Sequence, residues 1–187
     1  MGQITPAKIK VTKNTMNAEI VIKDEKLTDK EIAQLTKRIV VSEHIVYIKH
    51  NFFQNLKAKK AYVNKQFAGV CCLASINKKL NKIGPMIVLE DFEGMGIASR
   101  LLKETIDQHK DVDLFIHSSN PAMIKVINKY KFTKIDGFRN LPLAVVTYLL
   151  SGHILRNMDF KLVKYFFKKR LFKTAPKADN YIYFATK

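Results

Sequence analysis

The stretch "DFEGMGIASRLLKETI" (91–106) decides how this chain reads. Gly94 and Gly96 stand two apart, and an uninterrupted helical pattern follows them. The preceding "KIGPMIVLE" (82–90) reads as a buried strand. A helix start offers unpaired N–H groups and a partial positive charge, which together suit an anion. The glycines permit a tight turn and let a ligand approach with no Cβ in the way. This is not a Walker loop, because no Gly-Lys-Ser/Thr follows. A dinucleotide fingerprint would need a third glycine or alanine at position 99, which is Ser99, and its ribose-binding acid is not clearly placed.

Outward from this turn the chain alternates strands and helices. "AEIVI" (18–22) is a short strand, and "LTDKEIAQLTKRIVV" (27–41) starts a helix with Thr28 and Glu31 in capping-box spacing. Ser42 is expected to cap a second helix, "EHIVYIKHNFFQNL". "KAYVNKQFAGVCCLASI" reads as two strands joined in a hairpin at Asn64–Lys65. "VDLFIHSS" is a further strand, Asn120 opens a helix with Pro121 at its first position, and "FTKIDGF" and "NYIYFATK" are the last strands. Two successive strand–helix units, 83–109 and 112–130, predict a mixed α/β sheet with parallel central strands. Right-handed crossovers then put the strand ends at Glu90 and Ser118 on one side, where open α/β sheets bind ligands.

The 187 residues, 47% hydrophobic, suffice for a single domain with a full core, 1–187. No window holds about 18 apolar residues, so no spanning helix is expected. The N-terminus lacks the apolar run of a secretory signal. Pro6 stands where a myristoylation site wants Ser or Thr. Adjacent Cys71 and Cys72 point to opposite faces of an apolar strand, so no bond between them is expected. Free thiols suit a reducing compartment, and the expected location is cytoplasmic. No His/Cys/Asp cluster has metal-ligand spacing, so no metal is expected.

The net charge is +17, and it is unevenly spread. Residues 1–82 hold 16 Lys or Arg against 6 acids, residues 83–151 hold 8 against 8, and 152–187 hold 9 against 2. Basic flanks around a neutral middle suit nucleic acid or another polyanion, anionic lipid, or acidic proteins. Lysines outnumber arginines 28 to 5. A phosphate-reading surface more often uses arginine forks, so a solvated, solubilising face fits equally.

"FEGMGIASRLL" resembles the acetyl-CoA-binding turn of the GCN5-related N-acetyltransferases, the GNAT superfamily. Their Arg/Gln-x-x-Gly-x-Gly/Ala pattern falls on Glu93, Gly96 and Ala98. "SSNPAMIKVINKYKF" resembles their second signature, an Asn-x-x-Ala helix, with Asn120 in place. The order of elements is similar across 18–139 and the final strand. The resemblance implies a V-shaped splay between the strands ending near Glu90 and Ser118. It also implies acetyl-CoA as acyl donor: the pantetheine arm on Met86, Ile87 and Val88, and the pyrophosphate on N–H groups of Gly94, Met95, Gly96, Ile97, Ala98 and Ser99, in a cofactor-binding turn whose first residue is Glu93. Asn120 would lie near the thiol.

Three departures bear on the chemistry. Glu93 replaces Arg or Gln, and a carboxylate beside a pyrophosphate costs coulombic energy unless it turns away or Arg100 and nearby lysines offset it. Relatives that acetylate protein N-termini carry a tyrosine seven residues after the asparagine to protonate the leaving thiolate, here Ile127; the nearest phenol, and so the candidate acid, is Tyr130. The same relatives carry a glutamate five residues before it, here Phe115. His117, two residues along the strand, shares the face of 115 and has an ordinary pKa of about 6.5, suited to take the proton of an attacking amine. Glu90 is a further carboxylate near the splay.

"LPLAVVTYLLSGHILRNMDFKLVKYFFKKRLFK" (141–173) reads as a helical insertion between the last two strands. Phe160, Val163, Phe166 and Phe167 recur at helical spacing, with Lys161, Lys164 and Lys168 on another face. That pattern suits anionic lipid, nucleic-acid phosphates, or a packed hairpin. Two functions follow. One is an acyl-CoA-dependent N-acetyltransferase acting on an amine, with nucleic acid as one carrier of that amine. The other is a GNAT-fold protein without acetyl transfer that binds or modifies nucleic acid through its basic surface.

Overall fold

The computed structural model describes residues 19–42, Phe53, 56–154 and 181–186. Its strands are β1 (Ile20–Asp24), β2 (Lys57–Val63), β3 (Gln66–Ser75), β4 (Leu80–Val88), β5 (Asp113–Ser118), β6 (Thr133–Ile135) and β7 (Ile182–Ala185). They form one sheet in the order β1-β2-β3-β4-β5-β7-β6. Among the described strands only β4 and β5 run parallel; the other pairs are antiparallel. The expected parallel centre is therefore a single pair.

Among the described residues four helices cover the sheet: α1 (Asp29–Val41), α2 (Ile97–Gln108), α3 (Pro121–Ile127) and α4 (Leu143–Ile154). α1 starts as its sequence predicts. The Thr28 hydroxyl accepts from the Glu31 N–H at 3.3 Å and the Glu31 carboxylate accepts from the Thr28 N–H at 2.8 Å. Ser42 belongs to the end of α1, where its N–H donates to the Ile39 carbonyl. The expected helix at 43–56, apart from Phe53 and Leu56, and the amphipathic stretch at 160–168 lie outside the described residues. The β2–β3 hairpin turns on Asn64 (φ 48°) and Lys65 (φ 67°), the positive angles a two-residue type I′ loop requires.

The apolar periodicity explains the layers. α2 buries Ile97, Leu101 and Leu102 on one face of the sheet, in a cluster with Cys71, Ile83, Leu114, Ile116 and Ile127. α1 buries Ile32, Leu35 and Ile39 on the opposite face, against Phe67, Val70, Cys72 and Ile87. α4 covers that same face further along, through Val145 and Leu149 against Phe115 and Tyr183. One strand thus feeds two clusters: Leu114 and Ile116 face α2, and Phe115 faces α4, as strand alternation demands. Cys71 and Cys72 are buried free thiols, as read from the sequence. Burial pushes the Cys71 thiol up to about 11 and Cys72 further in the same direction. Both therefore stay protonated and act as apolar filling.

Lys60 is 2% exposed, and its ammonium is compensated in the core. It lies 3.3 Å from Glu31 and 3.2 Å from Glu25, and the Tyr62 phenol donates to Glu31 at 2.6 Å. Burial alone would raise the Glu31 carboxyl, but these donors outweigh it and hold it below its usual range. Among the described residues no helix is long and apolar enough to cross a membrane.

Candidate functional site: an opened strand pair and a glycine turn

β4 and β5 pair over three positions only: Leu80 with Asp113, Asn81 with Leu114, and Lys82 with Phe115. Beyond these, β4 stays on β3 to Val88 opposite Gly69, while β5 stays on β7 to Ser118 opposite Ile182. The two strands part at Lys82 and Phe115. Among the described residues no strand lies on the β5 side of Ile83 to Val88, six residues of β4 that form an edge about 20 Å long at ~3.3 Å per residue. Met86, Ile87 and Val88 occupy its far end. The edge includes a cis peptide at Gly84–Pro85, opposite the point where the β3 register shifts between Cys71 and Leu73. Proline gives no ladder donor, so the shift falls where one bond is lost anyway.

The splay opens beside the glycine turn. After β4 a short 3-10 turn, Glu90–Phe92, leads to Gly94 (φ 81°) and Gly96 (φ 77°), both left-handed. Left-handed backbone favours glycine, and a Cβ placed at either position would meet no atom within 4 Å. The glycines thus hold a conformation and leave the space before them open. Gly96 caps α2 with no side-chain bond, and the first turn holds no acidic residue. Among the described residues no side chain caps the N–H groups of this first turn. α1 and α3 differ, because Thr28 and Asn120 cap them.

The sequence candidates are distributed as follows. Glu93 does not face the turn alone: its Oε1 accepts from Arg38 Nη2 of α1 at 2.6 Å. Ser99 and Tyr130 are brought together, the Tyr130 phenol donating to the Ser99 carbonyl at 2.7 Å and lying 3.0 Å from its hydroxyl. Tyr130 also packs against the α2 cluster. Asn120 uses its Oδ1 to accept from the Ala122 N–H at 2.9 Å, which leaves its NH2 end for a ligand. Its own N–H donates to Ser118 Oγ at 3.1 Å. Glu90 is exposed at the end of β4.

His117 stands on the other face, with Phe115. Its ring lies 5.3 Å from Tyr181 edge-on, 5.7 Å from Phe115 and 6.0 Å from Tyr183. Burial pushes the Tyr181 phenol up, with the Ser119 hydroxyl partly countering it. Lys82, in register with Phe115, stands at the point of the splay; its amine is enclosed although the residue keeps partial exposure. Burial pushes this amine down to about 8. His117 and Tyr130 therefore sit on opposite faces of the sheet, one beside α4 and one beside α2.

Sequence reasoning missed Arg38, Lys82 and the tyrosines around His117. Arg38 and Lys82 lie in no motif, since only the fold brings them to the turn and the splay. Tyr181 and Tyr183 carried a signal, because residues two apart on a strand share a face.

Residues 30–132, more than half of the chain, match the family described as the acetyltransferase (GNAT) family. Solved structures share the fold at low identity. N-acetylglutamate synthase from Neisseria gonorrhoeae, complexed with coenzyme A and N-acetyl-glutamate, is 15% identical with a TM-score of 0.58, over 91% of this chain and 35% of that one. Rv2747 from Mycobacterium tuberculosis, in complex with CoA and NLQ, is 11% identical with a TM-score of 0.58, over 89% and 98%. Arabidopsis thaliana Naa50, with a bisubstrate analogue CoA-Ac-MVNAL, is 21% identical with a TM-score of 0.52, over 63% and 85%. No curated protein matches in sequence. The opened β4–β5 pair, the glycine turn and the family match agree, and this chain belongs to the acetyltransferase (GNAT) family.

Proposed function

We propose that this chain transfers an acetyl group from acetyl-CoA to an amine, with the cofactor lying in the splay. The observation that carries the reading is the opened β4 edge next to the uncapped first turn of α2. An extended pantetheine arm carries amides, and it can add to the free edge of Met86–Val88 as a strand would. The pyrophosphate then meets the N–H groups of Gly94 to Ser99 at the positive end of α2. In this reading the NH2 end of Asn120 serves the thiol end of the cofactor.

The chemistry asks little of the protein beyond placement. The amine lone pair attacks the thioester carbonyl carbon, the C–S bond breaks, and CoA leaves as thiolate. The amine proton must go to a base, directly or through water. In this reading His117 receives it, with Glu90 as an exposed carboxylate at the end of β4. Tyr130 braces the turn through Ser99, and the departing thiolate takes its proton from water. Positions 141–173 are read as an insertion in a single domain, with α4 packed on Phe115 and Tyr183, two of the rings next to His117. The basic flanks favour an amine on an anionic carrier such as a charged tRNA, in a cytoplasmic setting.

Thiol release from acetyl-CoA, followed with small amines, lysine peptides and aminoacyl-tRNA, tests this. Turnover with one acceptor class supports the reading. If tRNA carries the amine, the rate falls steeply with salt. Absence of thiol release with every acceptor class would refute acetyl transfer to amines.

A further inference from the structure

Glu93 poses a physical problem for the proposed function, and this inference rests on that function. A carboxylate stands immediately ahead of the donors from Gly94 to Ser99, where two phosphates would lie. We infer that Arg38 resolves the conflict: it draws the Glu93 carboxylate toward α1 and neutralises it, so that the turn accepts a pyrophosphate. Arg38 is thus a positioning residue that acts through Glu93.

The geometry is specific. Arg38 and Glu93 are 55 positions apart in sequence, one in the last turn of α1 and the other in the loop between β4 and α2, yet Nη2 and Oε1 are 2.6 Å apart. Arg38 lies in the last turn of α1, whose apolar face is anchored by Ile32, Leu35 and Ile39. The Arg38 side chain is 24% exposed and that of Glu93 51%. An ion pair this exposed adds little to stability, so folding alone gives a weak reason for it. Its effect on a nearby anion is another matter. Two phosphate charges at about 7 Å from a bare carboxylate, mostly through water, disfavour binding by about tenfold.

The test compares CoA affinity by calorimetry in the wild-type protein, Arg38→Ala, Glu93→Gln and the double variant. The expected results are a Kd about tenfold higher in Arg38→Ala, a Kd equal to or below wild type in Glu93→Gln, and rescue in the double variant to within about threefold of Glu93→Gln. Acetyl-pantetheine, which has no pyrophosphate, should serve as donor equally well for Arg38→Ala and wild type. A merely structural role would weaken both donors alike and overturn the inference. It would also be overturned by Arg38→Ala binding CoA like wild type, or by a double variant as weak as Arg38→Ala. Wild-type protein that binds no CoA would sink the proposed function, and this inference with it.

Discussion

Replacing Gly96 by alanine separates the backbone of the turn from the ligand it is proposed to hold. Gly96 sits at φ 77° and ψ 8°, the left-handed conformation. An L-residue there costs about 1–2 kcal/mol. No steric cost adds to this, because the new Cβ would meet no atom within 4 Å. Gly96→Ala should therefore lose about 1–2 kcal/mol of stability, a fall of ~2–8 °C in Tm for a chain of this size. The methyl would, however, enter the open space before the first turn of α2. CoA affinity should then drop well beyond tenfold, because the pyrophosphate needs close approach to the backbone. Thermal melts and calorimetric titration of one preparation give both numbers. A Tm within about 1 °C of wild type would refute the strained turn. A lowered Tm with unchanged CoA affinity would place the cofactor elsewhere.

Other outcomes follow from single residues. Lys82→Met should be more stable than wild type at pH 7 by about 1–3 kcal/mol, since the folded amine has been pushed from 10.5 down to about 8. The unfolded chain keeps its proton up to the higher value, so the penalty is complete below about 8 and vanishes as pH rises toward 10.5. Urea melts of both proteins across pH 7–10.5 should show the variant's advantage shrinking. Tyr130→Phe removes the bond to the Ser99 carbonyl, so we expect ~1 kcal/mol of lost stability and a raised KM for acetyl-CoA, with kcat within about threefold. A much larger fall in kcat would identify the phenol as an acid acting on the thiolate. His117→Gln should lower kcat by about 10²–10⁴ and leave CoA affinity intact, and an unaffected kcat would remove His117 from the reaction.

Much of this architecture was legible because local signals coincided with tertiary ones. Thr28 and Glu31 marked a helix start by spacing alone, and the structure pairs them as the spacing requires. Asn64–Lys65 marked a hairpin between two β-rich runs. The glycine turn was readable because a left-handed backbone selects glycine strongly. The extent of β4 was not. Its first residues, Leu80 to Lys82, carry no apolar run, yet they are the part of β4 that pairs with β5 and so set where the splay begins. Long-range polar pairs leave no local trace either. Glu93 looked like a misplaced charge until Arg38, 55 positions away, turned out to hold it. The candidate acid and base were likewise assigned by distance along the chain. Only the packing shows that Tyr130 belongs with α2 and His117 with the tyrosines of the last strand.

Cofactor binding in the splay is tested most directly by a titration of ¹⁵N-labelled protein with CoA, read at the backbone amides. Saturable shifts are expected at Gly94 to Ser99 and at Met86 to Val88, with smaller changes at Asn120. Saturable shifts confined to other parts of the sheet, or none at millimolar CoA, would contradict it.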